Sequence, residues 1–477
     1  MTSLRLFVLI GLVVLTGLPA PRTAVAQPAD ADGAYRGYLA ARLGEGGDLE
    51  VLDELHAGRL FVPASVLKVL TAAAALEHLG AGYRWVTRLT AHGAVDGAVL
   101  DGDLVVEPGA DPTWGEFFDG GAAGPLAALA AQVRERGIER VTGDLVVGAG
   151  RFPGRPHPVD RGHDDLPYRH GTPAAGLAVD EGTVAVRVAP GTSVGAPARA
   201  AAPEGLELIN LTATVGSDRH GAGTLDFIPL WGTDTLLLRG EYPISESSFL
   251  VPASDPSPGR RAAQRLRDAL HEAGVTVAGG VRLARRPGAG SGTAAVLAEL
   301  HSPPLGELLP HVLTRSHNWY ADTLALTLGL EVAGSGRFDD GVKVVADFAG
   351  GLPGAGLSAP AEAWLADGSG LSPANLVAPA TVVQVLVHAA GRPWGPTLID
   401  ALAKPGVGTL AAWPALAPVA AKTGTLRHTV ALAGLLEPAS DTPVFFCYFV
   451  NHNPGRRTAA RREIAAALGR WRAAAVR

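Results

Sequence analysis

A serine and a lysine in the first part of the chain have the types and the spacing of a nucleophile and its base. Ser65 and Lys68 stand three positions apart in the run Pro-Ala-Ser-Val-Leu-Lys, which predicts a helix because Pro suits the first helical turn. Residues i and i+3 of a helix lie on one face. The apolar neighbours of Lys68 disfavour its ammonium form, so the amine is suited to accept the Ser65 proton. The same spacing also occurs by chance on surface helices.

Two further short motifs carry residues of related chemistry. Ser316 and Asn318 stand at the start of a predicted helix, and Lys422 opens the run Lys-Thr-Gly-Thr at the end of a predicted strand. Taken singly, Ser316 is explained as a helix N-cap and Lys422 as an exposed strand end. The three motifs occur in the order typical of serine β-lactamases and penicillin-binding proteins, and they hold two of the chain's four lysines. The combination predicts acyl transfer through a serine.

The sequence resembles the class C low-molecular-mass penicillin-binding proteins, a family of D-alanyl-D-alanine carboxypeptidases and endopeptidases. Beyond the three motifs, the resemblance rests on Gly102-Asp103-Leu104, Gly109-Ala110-Asp111-Pro112-Thr113, Leu166-Pro167-Tyr168, residues 367–372 with Asn375 to Pro379, and Leu432-Ala433-Gly434. It implies an α/β (α+β) protein with the penicillin-binding protein or serine β-lactamase-like transpeptidase fold. In that fold an antiparallel sheet is flanked by helices, and this family adds two inserted smaller domains.

The resemblance also implies a role for each motif residue. Ser65 would form the acyl-enzyme, Lys68 would be its base, and Ser316 would pass a proton to the leaving amine. The N–H groups of Ser65 and Thr425 would form the oxyanion hole. Substrate binding falls to Asn318, Lys422, Thr423, Gly424 and Thr425. The implied partners are peptidoglycan stem peptides as substrates and β-lactam antibiotics as inhibitors.

The distance between the first two motifs predicts an inserted region. Ser65 and Ser316 are 251 positions apart, much farther than in small β-lactamases, and the resembling family has two extra domains at this point. We therefore expect a split catalytic domain. The expected boundaries are 1–26 for a signal peptide, 27–90 and 293–477 for the catalytic domain, 91–292 for the insertion, and about 114–171 for its inner domain.

Four positions depart from the pattern of the resembling family. His317 stands where Asp or Asn is usual, and Pro373 stands where Arg is common. His428 and Thr429 replace the usual Gly-Val pair after Lys-Thr-Gly-Thr-Leu. These departures lie outside the reacting groups, so they bear on substrate preference and turnover rather than on the reaction class.

Three functions remain open at this point: a peptidoglycan peptidase, a serine β-lactamase, and an inert binding protein that keeps the fold. A class A β-lactamase needs a deacylating Glu, and none is placed in this chain. The long insertion also argues against that class. An inert protein would be expected to have lost a nucleophile or a base, whereas both are present. The peptidase is therefore the favoured function.

Composition excludes several other classes. Hydrophobic residues make up 47% of the 477 residues, which is enough for a sizeable core and excludes a wholly disordered chain. The net charge of −6 gives no electrostatic sign of nucleic-acid binding. Cys447 is the single cysteine, so the chain has no internal disulfide and no cysteine-based metal motif. No cofactor and no metal are predicted.

Two other motifs in the chain could indicate a different chemistry. Residues 191–195 match the Gly-x-Ser-x-Gly nucleophile elbow around Ser193, but that motif needs a helix directly after it. No helical pattern begins there, so a loop is predicted. His163 lies beside Asp164 and Asp165, but without the spacing of a metal-binding motif.

The N-terminus has the pattern of a secretory signal peptide. A basic start, an apolar stretch at residues 6–18 and a small-x-small site ending at Ala26 fit that pattern. No later run is apolar and long enough to span a membrane. We expect an exported protein of the periplasm or cell envelope. The Arg-rich helix predicted at 457–476 leaves peripheral contact with anionic lipid or cell wall open, although packing on a sheet is favoured.

The remaining elements follow from periodicity and turn residues. A hairpin is expected at residues 49–62, a helix at 63–80, and a loop at 151–171. The last third is expected to be rich in helices, before three strands near 419–422, 430–436 and 444–450. The elements that must position the motifs are therefore two helices and one strand.

Overall fold

A computed structural model gives the fold of most of the chain. It describes residues 33–44, 49–115, 121–148, 151–218, 224–284, 294–352, 363–413, 416–455 and 457–475. The expected signal peptide therefore lies outside the described residues.

The described residues form strands and helices in three regions. The strands are β1 (Tyr35–Leu43), β2 (Leu49–Leu55), β3 (Val86–Asp96), β4 (Val99–Glu107), β5 (Arg140–Val141), β6 (Leu145–Gly148), β7 (Thr183–Ala189), β8 (Arg199–Ala201), β9 (Glu207–Val215), β10 (Asp226–Leu230), β11 (Thr235–Pro243), β12 (Phe249–Ser254), β13 (Thr276–Val277), β14 (Val281–Ala284), β15 (Ala295–His301), β16 (Ala363–Trp364), β17 (Leu376–Val377), β18 (Val419–Leu426), β19 (Thr429–Leu436) and β20 (Val444–Asn451). The helices are α1 (Leu67–Leu79), α2 (Ala123–Glu135), α3 (Pro258–Glu272), α4 (Leu305–Leu313), α5 (Asn318–Ala333), α6 (Phe338–Gly350), α7 (Pro379–Ala390), α8 (Gly395–Asp400) and α9 (Arg457–Ala475).

The main sheet joins the two ends of the chain. Its order is β18-β19-β20-β1-β2, and every neighbouring pair is antiparallel. Strands β19 and β20 are buried along their whole lengths, because helices cover both faces of the sheet. Helices α1, α5 and α7 pack on one side. Helix α9 covers the other with Ile464, Leu468 and Trp471, as the sequence predicts. The expected fold class is confirmed.

The hairpin expected at residues 49–62 is wrong. Strand β2 pairs with β1, which the sequence analysis did not identify. Beyond β2 the chain turns near His56 and forms only an isolated bridge between Phe61 and Val377. The partner of β2 therefore precedes it in the chain.

The insertion contains a seven-stranded sheet with its own core. Its main path runs β13-β5-β4-β3-β15, with β6 pairing β4 and β14. The first strand begins at Val86 and the last is Ala295–His301, and these two strands pair with each other. We therefore propose domain boundaries near 85 and 302, in place of 90 and 293.

A smaller all-β region lies within the insertion. It is made of two three-stranded sheets, β10-β11-β9 and β12-β7-β8, which share a hydrophobic core. The sequence predicts the inner domain at about 114–171. Helix α2 and strands β5 and β6 from that range instead pack into the seven-stranded sheet region. We propose residues 183–254 as the inner domain.

Helix α1 lies at the centre of the catalytic region. All its residues from Leu67 to Leu76 are buried, and the helix ends at Gly80, whose φ of 80° suits a residue without Cβ. A 3-10 turn at Ala64–Val66 precedes it and carries Ser65. Among the described residues, no helix is apolar and long enough to cross a bilayer.

Candidate active site

The turn that carries Ser65 is held by close approach of neighbouring backbones. Ala64 has a φ of 47°, an unfavourable value for a residue with Cβ. A Cβ on Gly424 would lie 2.7 Å from the Pro63 carbonyl oxygen, and one on Gly370 would lie 1.9 Å from that of Ala64. Glycine at both positions lets strand β18 and the 370 turn pack directly against the serine.

The amine of Lys68 lies at the centre of the site. Its Nζ is 2.8 Å from Ser65 Oγ, 2.7 Å from Asn318 Oδ1 and 2.7 Å from the Ser369 carbonyl oxygen. The last two atoms only accept hydrogen bonds. A neutral amine would donate its two N–H bonds to them and direct its lone pair at the Ser65 hydroxyl. The geometry therefore suits a base.

The environment of Lys68 favours that neutral form. The side chain is fully buried. Burial lowers the pKa of Lys68 to about 7, although the carboxylates of Asp322 and Asp367 act in the opposite direction. Near neutral pH the amine can therefore lose its proton and act as a base.

Ser316 and Lys422 form a second serine–lysine pair. Lys422 Nζ donates to Ser316 Oγ at 2.8 Å and to the Thr423 carbonyl oxygen at 2.7 Å. Burial, assisted by the charge of Lys68, holds the pKa of Lys422 well below its usual range. Ser316 has a φ of 63°, and such outliers cluster at active sites. Helix α5 begins at Asn318 with His317 as its N-cap, so Ser316 is not the cap.

Asn318 bridges the catalytic region and the insertion. Its Oδ1 accepts from Lys68, and its Nδ2 donates to the His170 carbonyl oxygen at 2.9 Å. These two contacts fix the orientation of the amide. Asn318 therefore lies beside Lys68, and hydrogen bonds to the catalytic region and to the insertion hold its side chain in place.

Strand β18 presents backbone donors to the cleft. It is the edge strand of the main sheet, so every second residue directs its N–H and C=O away from β19. Ala421 does so, since it exchanges two hydrogen bonds with Ala403. By alternation Thr423 and Thr425 have the same orientation. The N–H of Thr425 is therefore directed outward, as an oxyanion donor requires. Thr423 is largely buried and Thr425 half-buried.

The structure thus brings Ser65, Lys68, Ser316, Asn318 and Lys422 into one cleft. Gly424 lies against the turn of Ser65, where its role is close packing. The sequence analysis missed a buried cluster beneath Lys68, in which Arg161 forms ion pairs with Asp322 and Asp367. In the sequence, only the family resemblance points to residues 367–372, and Arg161 lies in a predicted loop.

The turn at residues 367–372 is built around one carboxylate. Asp367 accepts from the backbone N–H of Gly370 at 2.7 Å and of Ser372 at 2.8 Å, and from Asn375 Nδ2 at 2.9 Å. Helix α1 holds the same turn, because the Thr71 hydroxyl donates to the Gly368 carbonyl oxygen. The turn thereby directs the Ser369 carbonyl at Lys68.

Three of the four residues that depart from the family pattern, His317, His428 and Pro373, occupy different environments. His317 Nε2 lies 2.7 Å from Glu181 Oε2, and Arg169 donates to the same carboxylate. His428 Nδ1 lies 3.3 Å from the Asn453 carbonyl oxygen. Pro373 is exposed. His317 is thus matched by an acidic partner in the insertion.

The two rival motifs lie elsewhere. Ser193 is exposed in a turn between β7 and β8, which agrees with the predicted loop. His163 is also exposed. Within the described ranges, no three His, Cys, Asp or Glu side chains are grouped so that they could hold a metal ion.

The sequence profile of the D-Ala-D-Ala carboxypeptidase 3 (S13) family matches residues 25–475. The chain belongs to this family. It is 32% identical to a D-alanyl-D-alanine carboxypeptidase of Actinomadura sp. (strain R39), covering 92% of this chain and 82% of that one. It is 26% identical to the D-alanyl-D-alanine carboxypeptidase DacB of Haemophilus influenzae, covering 88% and 86% respectively.

A solved structure shares the fold of this S13 family member. Penicillin binding protein 4 from Haemophilus influenzae superposes with a TM-score of 0.77 at 24% identity, covering 89% of this chain and 92% of that one. The expected family and the expected enzyme class, a serine-type hydrolase, are therefore confirmed.

Proposed function

We propose that this S13 family member is a serine-type D-Ala-D-Ala carboxypeptidase or endopeptidase that cleaves peptidoglycan stem peptides or cross-links through a Ser65 acyl-enzyme. The observation that carries the proposal is the contact between Lys68 Nζ and Ser65 Oγ, 2.8 Å apart. Burial makes the amine a base at neutral pH, as an activated serine nucleophile requires.

Acylation follows from the arrangement of the two serine–lysine pairs. Lys68 takes the Ser65 proton while Oγ attacks the carbonyl carbon of the scissile peptide. The N–H groups of Ser65 and Thr425 stabilise the oxyanion. When the C–N bond breaks, Ser316 gives its proton to the leaving amine and regains one from Lys422. Water then attacks the ester carbonyl, Lys68 returns its proton to Ser65 Oγ, and Lys422 takes up the proton released by the water, which restores both lysines and Ser65.

Recognition of the substrate would rest on its terminal carboxylate. Lys422 supplies the cation, and the hydroxyls of Thr423 and Thr425 add donors. Burial holds the pKa of Lys422 well below its usual range. A bound carboxylate would favour the ammonium form again, because an opposite charge stabilises it. Asn318 would bind the amide of the preceding residue.

β-Lactams would acylate the same serine. Haemophilus influenzae penicillin binding protein 4, whose fold this chain shares, has been solved in complex with a novel β-lactam. We also infer that the chain is exported to the periplasm or cell envelope, since residues 1–26 have the pattern of a signal peptide. N-terminal sequencing of the exported protein should then begin at Gln27.

Labelled penicillin tests the nucleophile. Ser65→Ala should abolish labelling, while Ser193→Ala, the matched control at the rival motif, should label like the wild type. Labelling of Ser65→Ala together with loss in Ser193→Ala would reverse the assignment. Slow release of the label separates a peptidase from a β-lactamase. Digestion of muropeptides, followed by mass spectrometry, then identifies the bond that is cleaved.

A further inference from the structure

An arginine from the insertion reaches beneath the catalytic cleft. Arg161 belongs to the long connection between β6 and β7, yet its side chain is only 1% exposed. Its Nη2 pairs with the Asp322 carboxylate and lies 3.3 Å from Asp367 Oδ2. Asp322 is on α5 and Asp367 on the turn before α7, and both are fully buried. A residue of the insertion thus completes a buried charge cluster of the catalytic region.

Ser369 connects this cluster to Lys68. Its carbonyl oxygen accepts from Lys68 Nζ at 2.7 Å, and its hydroxyl accepts from Arg161 Nη2 at 3.1 Å. The charged groups that act on the amine are therefore Asp322 on α5, Asp367 on the turn and Arg161 from the insertion, with Lys422 on β18. The guanidinium and the two carboxylates act on the protonation of Lys68 in opposite directions.

The residue before Arg161 has an unfavourable backbone conformation that a hydrogen bond holds in place. Asp160 has a φ of 60°, an uncommon value for a residue with Cβ, and its carbonyl oxygen accepts from Ser372 Oγ at 3.2 Å. Within the described residues, Nε and Nη1 of Arg161 have no hydrogen-bond acceptor. Arg161 is therefore a buried and only partly hydrogen-bonded cation, whose charge acts on neighbouring groups with little screening by solvent.

We propose that Arg161 is a positioning residue for the reaction: it balances Asp322 and Asp367 so that Lys68 is neutral when it activates Ser65. The inference rests on the proposed role of Lys68 as the base. With Arg161 present, a neutral Lys68 leaves one net negative charge in the cluster. Without Arg161, a neutral Lys68 would leave two negative charges in the cluster, those of Asp322 and Asp367. These charges would favour protonation of the Lys68 amine. The insertion thereby takes part in the activation of the nucleophile.

The test is the rate of acylation by labelled penicillin as a function of pH. Arg161→Gln should move the midpoint of the acid limb upward by about one to two pH units, as expected for loss of a nearby charge. At pH 7 the rate should fall about tenfold and recover as the pH rises. Arg161→Lys keeps the charge and should have a midpoint close to that of the wild type.

A buried ion pair elsewhere provides the matched control. Arg261 pairs with Asp255 in the insertion, and both side chains are buried. Arg261→Gln should lower the melting temperature without moving the midpoint. An Arg161→Gln enzyme with the wild-type midpoint and a uniformly lower rate would overturn the inference. A wild-type enzyme that is not labelled would instead overturn the proposed function.

A second pair of variants covers the case in which Arg161→Gln does not fold. Asp322→Asn alone should lower the midpoint, because it removes a carboxylate that favours the protonated amine. The double variant Arg161→Gln/Asp322→Asn should have a higher midpoint than Asp322→Asn. Equal midpoints in these two variants would overturn the role of Arg161.

Discussion

Glu181 and His317 join the insertion to the loop that carries Ser316, although they are 136 positions apart in the chain. Glu181 is 2% exposed and has a φ of 59°. Burial by itself would raise the pKa of Glu181, but the hydrogen bond from His317 and the charge of Arg169 hold it below its usual range. The carboxylate therefore fixes the residue between Ser316 and Asn318.

The first prediction concerns this contact. His317→Asp restores a residue usual in the resembling family but places it against the Glu181 carboxylate. Two buried carboxylates without a shared proton repel each other, so we expect a loss of about 1–3 kcal/mol in the free energy of unfolding. Urea denaturation measures it. Adding Glu181→Gln should recover most of the loss, and a double variant no more stable than His317→Asp would contradict the prediction.

The second prediction is the pH dependence of acylation in the wild type. Lys68 acts as a base only when neutral, and its pKa is about 7. The acylation rate should therefore rise with pH through a midpoint near 7 and fall about tenfold per unit below it. Lys68→Arg should nearly abolish labelling, because guanidinium keeps its proton. Lys343→Arg, a change at an exposed lysine, is the control that should leave the profile unchanged.

The third prediction concerns the turn against Ser65. Gly370→Ala places a Cβ 1.9 Å from the Ala64 carbonyl oxygen at a φ of 79°. We expect a loss of about 2 kcal/mol or more in unfolding free energy, and slower acylation because the turn of Ser65 must shift. Gly406→Ala has a similar φ of 81° but open space around it, so only stability should fall. Wild-type acylation by Gly370→Ala would refute the prediction.

The fourth prediction concerns the substrate carboxylate. Amidation of a D-Ala-D-Ala peptide removes a charged acceptor, and hydrogen bonds to charged groups contribute about 1.5–3 kcal/mol. The value of kcat/KM should therefore fall about 10- to 100-fold. Thr423→Val and Thr425→Val should each shrink the difference between the free and the amidated peptide. Equal cleavage of both peptides by the wild type would show that specificity lies elsewhere.

The motifs could be located from the sequence because each is local. Ser65 and Lys68 are one helical turn apart, and Lys422 stands at the end of the apolar run that predicts the strand at 419–422. The local sequence pattern does not show which other strand or helix each element packs against. Strand β1 was missed, so β2 was paired with the segment after it rather than before it. Pairing in a sheet depends on the whole fold, which short-range periodicity does not contain.

Arg161 shows the same limit at the site itself. It lies in a stretch rich in Pro, His and Gly, which has no helical or strand period and therefore reads as a loop. Its partners Asp322 and Asp367 follow 161 and 206 positions later. Nothing in the composition of that loop distinguishes a buried arginine from an exposed one. Only the folded chain brings the three charges together.

The position of β1 in the main sheet determines the order in which the molecule can be assembled. This strand pairs with β2 on one side and with β20, some four hundred residues later, on the other. Strand β1 can form only half of its ladder until the final strands of the chain are available to pair with it. The insertion is contiguous in the chain and has cores of its own, so it can fold first. We therefore expect the site around Ser65 to form last. A chain truncated before β20 should carry no reactive serine, because the main sheet cannot form without that strand.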